Sequence, residues 1–93
     1  MAKSKKPVRH SGAFEQEFAR FQENFAAVVK EQRLKAKLSR RELAKRAKLS
    51  VSTLIHIEQG QGNPMLNSME NLAIALRTRL SRLFELTQER EGR

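Results

Sequence analysis

Two helix-start signals, Ser39 and Ser50, stand eleven positions apart in this chain, and that spacing leaves room between them for only a short helix and a tight turn. Ser39 is followed three residues later by Glu42, a capping box in which the hydroxyl and the carboxylate each satisfy a backbone N–H at a helix start. Leu43, Ala44 and Ala47 then make one apolar stripe, and Ser50 offers a second cap ahead of another stripe, Leu54 and Ile57. The pattern predicts helix, tight turn, helix.

The flanking segments also read as helical. Phe14, Phe18, Phe21, Phe25 and Val28 or Val29 recur at steps of three and four, which predicts a first helix from Ala13 to about Ala36. Gly60, Gly62, Asn63 and Pro64 form the strongest breaker cluster and end the third helix near Gln59. After a loop, Leu66, Met69, Leu72, Ala73 and Leu76 repeat at helical spacing, with Asn67 and Glu70 as a candidate cap pair. Leu80, Leu83, Phe84 and Leu86 suggest a short fifth helix, with Gln88 to Arg93 expected to fray. Met1 to Gly12 combines Lys, Ser, Pro7 and Gly12 with almost nothing apolar, and reads as a mobile basic tail. The expected architecture is all-α and one domain: a disordered tail over 1–12, the folded unit over 13–88 with its motif near 39–60, and a frayed 89–93.

Composition narrows the function. Ninety-three residues leave little room for a catalytic cavity, and five Phe without Tyr or Trp suit a modest helical core. With no Cys, disulfides are excluded, and a metal site would have only His10, His56 and carboxylates to draw on. No apolar run approaches a membrane span, so a cytoplasmic protein is expected. The formal charge of +9 points to a polyanionic partner. Lys3, Lys5, Lys6 and Arg9 lie in residues 1–12 with no acid, and residues 30–48 carry nine Lys or Arg against Glu31 and Glu42. Residues 49–76 contain Glu58 and Glu70 and no Lys or Arg, so charge is segregated away from the third helix.

From Phe25 to Leu86 the chain resembles the Cro/C1-type (Xre-like) helix-turn-helix domain. The matching residues are Arg33, Leu38-Ser39, Leu43-Ala44, Ala47, Leu49-Ser50, Ser52-Thr53, Ile57-Glu58, Gly60, Asn63-Pro64, Leu72-Ala73, Ala75-Leu76 and Leu83-Phe84, specific in their order and spacing rather than singly. The resemblance implies a five-helix, lambda-repressor-like DNA-binding domain, here with an extended first helix, whose third helix (about 51–59) enters the major groove. Val51, Ser52, Ile55 and His56 point away from the Leu54/Ile57 stripe and are the candidates for base readout. Ser52 and His56 can each donate or accept, while Val51 and Ile55 can only meet thymine methyls. The alternatives are that Ile55 packs against another helix or a partner and that His56 is simply a solvated surface histidine.

The same resemblance implies an ion pair, Arg33 with Glu58, that orients the reading helix; a catalytic Glu58 would need a convergent second carboxylate or a nucleophile, and the sequence offers none. Arg40 stands at a family position that touches phosphate, usually as Gln, and Arg41, Lys45, Gln59, Gln61 and Asn63 are further phosphate candidates against the alternative of a solvated charged face. Lys37, Lys48 and Arg77 replace the Gly that the family usually has where a helix ends left-handed, so either those turns carry strain or their geometry differs. Phe14, Phe18 and Phe21 precede the family domain and are expected either at a dimer interface with Leu83 and Leu86 or in an intrachain satellite core. The functional expectation is a sequence-specific double-stranded DNA-binding regulator without cofactor or enzymatic activity, acting as a homodimeric repressor. An antitoxin with a partner toxin, and a sequence-tolerant nucleic-acid coating protein, are the alternatives.

Overall fold

The structure, a computed structural model, describes residues 12–92, so the basic tail at Met1 to Ser11 and the final Arg93 lie outside the described residues. Five helices follow in order: α1 Gly12–Lys35, α2 Arg40–Ala47, α3 Val51–Glu58, α4 Leu66–Ala75 and α5 Leu80–Glu91. No strand occurs among the described residues. The core collects the inward stripe of every helix: Phe25, Val28 and Val29 from α1, Leu43, Ala44 and Ala47 from α2, Leu54 and Ile57 from α3, Leu72 and Ala73 from α4, and Leu83 from α5. Helix α5 lies along α1, while α2 packs on both α3 and α4. An aromatic cluster closes the α1/α5 seam, with Phe21 stacked on Phe25 at 5.5 Å and Phe84 tilted against both at 6.0 Å.

Four helices end in the same way. The backbone turns left-handed at Lys37, Lys48, Gly60 and Arg77, with φ of 60°, 58°, 72° and 60°. After α1, Leu38 N–H donates to Arg33 O at 3.1 Å and Lys37 N–H to Leu34 O at 3.0 Å. The same nested pair recurs as Leu49 to Ala44 with Lys48 to Lys45, Gln61 to His56 with Gly60 to Ile57, and Thr78 to Ala73 with Arg77 to Ile74. Each pair satisfies carbonyls that the helix itself leaves open. Of the two outcomes left open for the Gly replacements, the strained one holds: two lysines and an arginine occupy left-handed positions. Leu38 explains part of the tolerance, because the residue just past the turn is buried in the core and holds the chain there.

Two expectations at helix ends are corrected. Asn67 and Glu70 are not a cap pair, since α4 starts at Leu66 with Met65 as its N-cap and no side-chain cap. Pro64 sets the extended entry one residue earlier, so Asn67 is already inside the helix. Residues 88–91, part of the stretch expected to fray, are helical in the structure: α5 runs to Glu91 and Gly92 caps it in a left-handed conformation. Thr87 is buried, its hydroxyl donating to Leu83 O within α5 at 2.8 Å, and Arg90 reaches across to Glu31 of α1 at 2.7 Å.

Candidate nucleic-acid interface

Local chemistry positions the two motif helices independently of each other. At the start of α2, Glu42 N–H donates to Ser39 Oγ at 3.0 Å while Ser39 N–H donates to Glu42 Oε1 at 2.7 Å. That backbone hydrogen bond, followed by the one to the Ser39 side chain, holds the Glu42 carboxyl below its ordinary titration range. At the start of α3, Ser50 Oγ accepts from Thr53 N–H at 3.0 Å, and the Ser50 hydroxyl donates to Thr53 Oγ1 at 2.8 Å. Only Lys48, Leu49 and Ser50 separate the two helices, and the left-handed Lys48 makes so short a turn possible.

With Leu54 and Ile57 buried, α3 turns its other side outward. Val51, Ser52 and His56 are exposed and Ile55 is half-buried, so three of the four readout candidates present free side chains. Arg41, Lys45, Gln59, Gln61 and Asn63 are all exposed. The 59–64 loop is tied back to α1 by Gln22, whose side-chain amide donates to Gly62 O.

Behind this surface lies a three-residue ion cluster. Arg33 Nε donates to Glu58 Oε2 at 2.7 Å and Nη2 to Oε1 at 3.2 Å, and Arg33 Nη1 donates to Leu38 O at 3.0 Å. Both side chains are nearly inaccessible, Arg33 at 8% and Glu58 at 1%. The pair thus fixes the end of α3 to the end of α1. Arg40, expected as a phosphate ligand, also joins the cluster, its Nε donating to Glu58 Oε1 at 3.0 Å while its side chain stays 43% exposed. Sequence reasoning missed this contact because eighteen residues and a helix boundary separate the partners.

The Phe stripe divides. Phe14 is 71% and Phe18 42% exposed, on a part of α1 (12–20) in which every residue faces solvent. Phe21 joins the aromatic cluster. Phe18 and Phe21 border an apolar cleft of about 260 Å³ that reaches Phe25, Ile57, Pro64 and Met69. Leu83 is fully buried in the core of its own chain and is removed from the expected dimer interface; Leu86 is half-buried. A second set of exposed apolar side chains, Met65 at the N-cap of α4 and Leu66 and Ile74 on it, was not anticipated, because periodicity assigned Leu66 to the core stripe. Among the described residues no helix is long and apolar enough to cross a membrane, and no cluster of three His, Cys, Asp or Glu could hold a metal.

A short-turn pair of capped helices on a five-helix body, with the second helix anchored from below and exposed at its start, defines a helix-turn-helix protein. The helix-turn-helix family profile matches residues 29–83, and the chain belongs to this family in its Cro/C1-type form, a class of DNA-binding transcription regulators. Among solved structures, a point mutant of the restriction-modification controller protein C.Esp1396I superposes with a TM-score of 0.72 at 20% identity, covering 78% of this chain and 92% of that one. The wild-type form of that protein matches with a TM-score of 0.69 at 22% identity, covering 74% and 88%. At these identities the likeness establishes the fold. No curated protein sequence matches the chain.

Proposed function

We propose that the chain is a sequence-specific repressor that binds a two-fold-symmetric double-stranded operator as a dimer, with α3 in the major groove. The observation that carries this reading is the division of α3: Leu54 and Ile57 lock it into the core while Val51, Ser52 and His56 stand exposed at its start and outer side. A groove about 12 Å wide admits one helix in that pose. Arg40, Arg41 and Lys45 on α2, and Gln59, Gln61 and Asn63 beyond α3, are the flanking groups for phosphates. The likeness to a restriction-modification controller protein supports a regulatory role. In this reading the protein represses by occupying its operator. Phe14 and Phe18 are the first choice for self-association.

Selection from a random duplex library at stated salt tests the proposal. A two-fold site should emerge, and His56→Ala should relax selectivity at one position per half-site at a cost of roughly 1–3 kcal/mol, with little effect on unrelated duplexes. Binding that is steeply salt-dependent but indifferent to sequence would replace this reading with that of a coating protein.

A further inference from the structure

Glu58 is shared by two arginines from different helices that differ sharply in exposure. Its Oε2 accepts from Arg33, and its Oε1 accepts from Arg33 and also from Arg40 Nε. Arg33 is spent entirely inside the protein, on Glu58 and on the Leu38 carbonyl. Arg40 is held only by Nε, and among the described residues its two Nη groups have no partner. Two guanidiniums over one carboxylate leave one positive charge in excess, and the exposed member that carries it is the first residue of α2. An arginine already tethered loses less side-chain freedom on gripping a ligand than one that wanders in solvent.

We infer that Glu58 is a positioning residue for contact with the DNA backbone: the bond from Arg40 Nε to Glu58 Oε1 sets the Arg40 guanidinium so that its Nη edge meets a phosphate, and Arg33 keeps the carboxylate in place. This rests on the DNA-binding reading above and adds to it that a buried acid strengthens a phosphate contact. The sign separates it from plain electrostatics. A carboxylate near DNA repels phosphate, so removing it should tighten binding; a carboxylate that orders Arg40 makes the same removal weaken binding.

The experiment uses the full chain, fluorescence anisotropy over a range of salt, and two duplexes, one selected by the protein and one unrelated. Wild type, Arg40→Ala, Glu58→Gln and the double variant form a cycle, each checked for folding by its thermal melt. Arg40→Ala should weaken binding to both duplexes on the order of tenfold, the scale of one hydrogen bond to a charged group. Glu58→Gln should also weaken both despite raising the net charge, and in that background Arg40→Ala should cost less than about a further twofold. Tighter binding by a folded Glu58→Gln protein, or the same fold-loss from Arg40→Ala in both backgrounds, overturns the inference. Should Glu58→Gln fail to fold, the cycle is run on the double variant Arg33→Met, Glu58→Met, which leaves net charge unchanged, and there the coupling decides: Arg40→Ala costing as much as in wild type overturns the inference, and a cost under about twofold supports it. A wild-type protein that binds no duplex at low salt would instead sink the DNA-binding reading itself.

Discussion

Replacing Lys37, Lys48 and Arg77 by Gly should leave the protein more stable than replacing them by Ala, although either change removes a side chain and a favourable cation from a helix end. All three residues are exposed and sit at φ near +60°, so their side chains contribute little packing while each Cβ clashes with its own backbone. Relief of that clash is worth about 1–2 kcal/mol per residue. Against it stands the extra freedom Gly gives the unfolded chain, about 0.4–1 kcal/mol relative to Ala. Loss of the cation near the helix C-terminus costs roughly 0.3–1 kcal/mol and is common to Gly and Ala substitutions. The clean quantity is therefore the difference between the two at one site, expected to favour Gly by about 0.5–1 kcal/mol, the reverse of a helix interior. The three turns share no hydrogen-bond partners, so the differences should add to about 2 kcal/mol. For a domain of this size that separates the triple-Gly and triple-Ala proteins by roughly 10 °C in Tm. Thermal and urea melts at constant salt measure it. Ala variants as stable as the Gly variants would show that these turns are not left-handed in solution and that the α2–α3 angle differs from the one described.

Arg33→Ala should be more damaging, about 2–3 kcal/mol by denaturant melt, because it leaves the nearly inaccessible Glu58 with Arg40 alone as its partner; a loss under about 1 kcal/mol would mean that Arg40 and water together satisfy Glu58. Ser39→Ala should cost about 1 kcal/mol through loss of the α2 cap. Since the folded-state pKa of Glu42 is lowered, its contribution should be fully present above the unfolded carboxyl value and vanish as pH falls through the folded one. Glu42→Gln should flatten that acid limb, and an unchanged limb would assign it to other carboxylates. Phe14→Ser with Phe18→Ser should shift a sedimenting dimer to monomer at nearly constant Tm, whereas Phe21→Ser should lower Tm; an unaltered dimer would move the interface to the exposed Met65, Leu66 and Ile74. Deleting Met1 to His10 removes Lys3, Lys5, Lys6 and Arg9, and should flatten the salt slope of binding while leaving base preference intact, as judged by the same library selection.

Local signals alone determined the element order and the motif. Capping residues and apolar stripes at helical spacing act over three to seven residues, so Ser39, Glu42, Ser50, Leu54 and Ile57 could be read without knowing what surrounds them. The left-handed turns were half legible: resemblance marked Lys37, Lys48 and Arg77 as sites where Gly is usual, but only the backbone shows that the strained conformation is kept. What depends on distant parts of the chain meeting was not legible. Leu83 looked available for a partner until the core of its own chain enclosed it, and residues 88–91 looked loose until Thr87 was buried and Arg90 met Glu31. Periodicity gave Phe14, Phe18 and Phe21 one face, yet the body of the protein ends under Phe21 and leaves the other two in solvent. The capture of Arg40 by Glu58 belongs to the same kind, since a carboxylate chooses its partners by distance in space, and the packing of α1, α2 and α3 sets that distance.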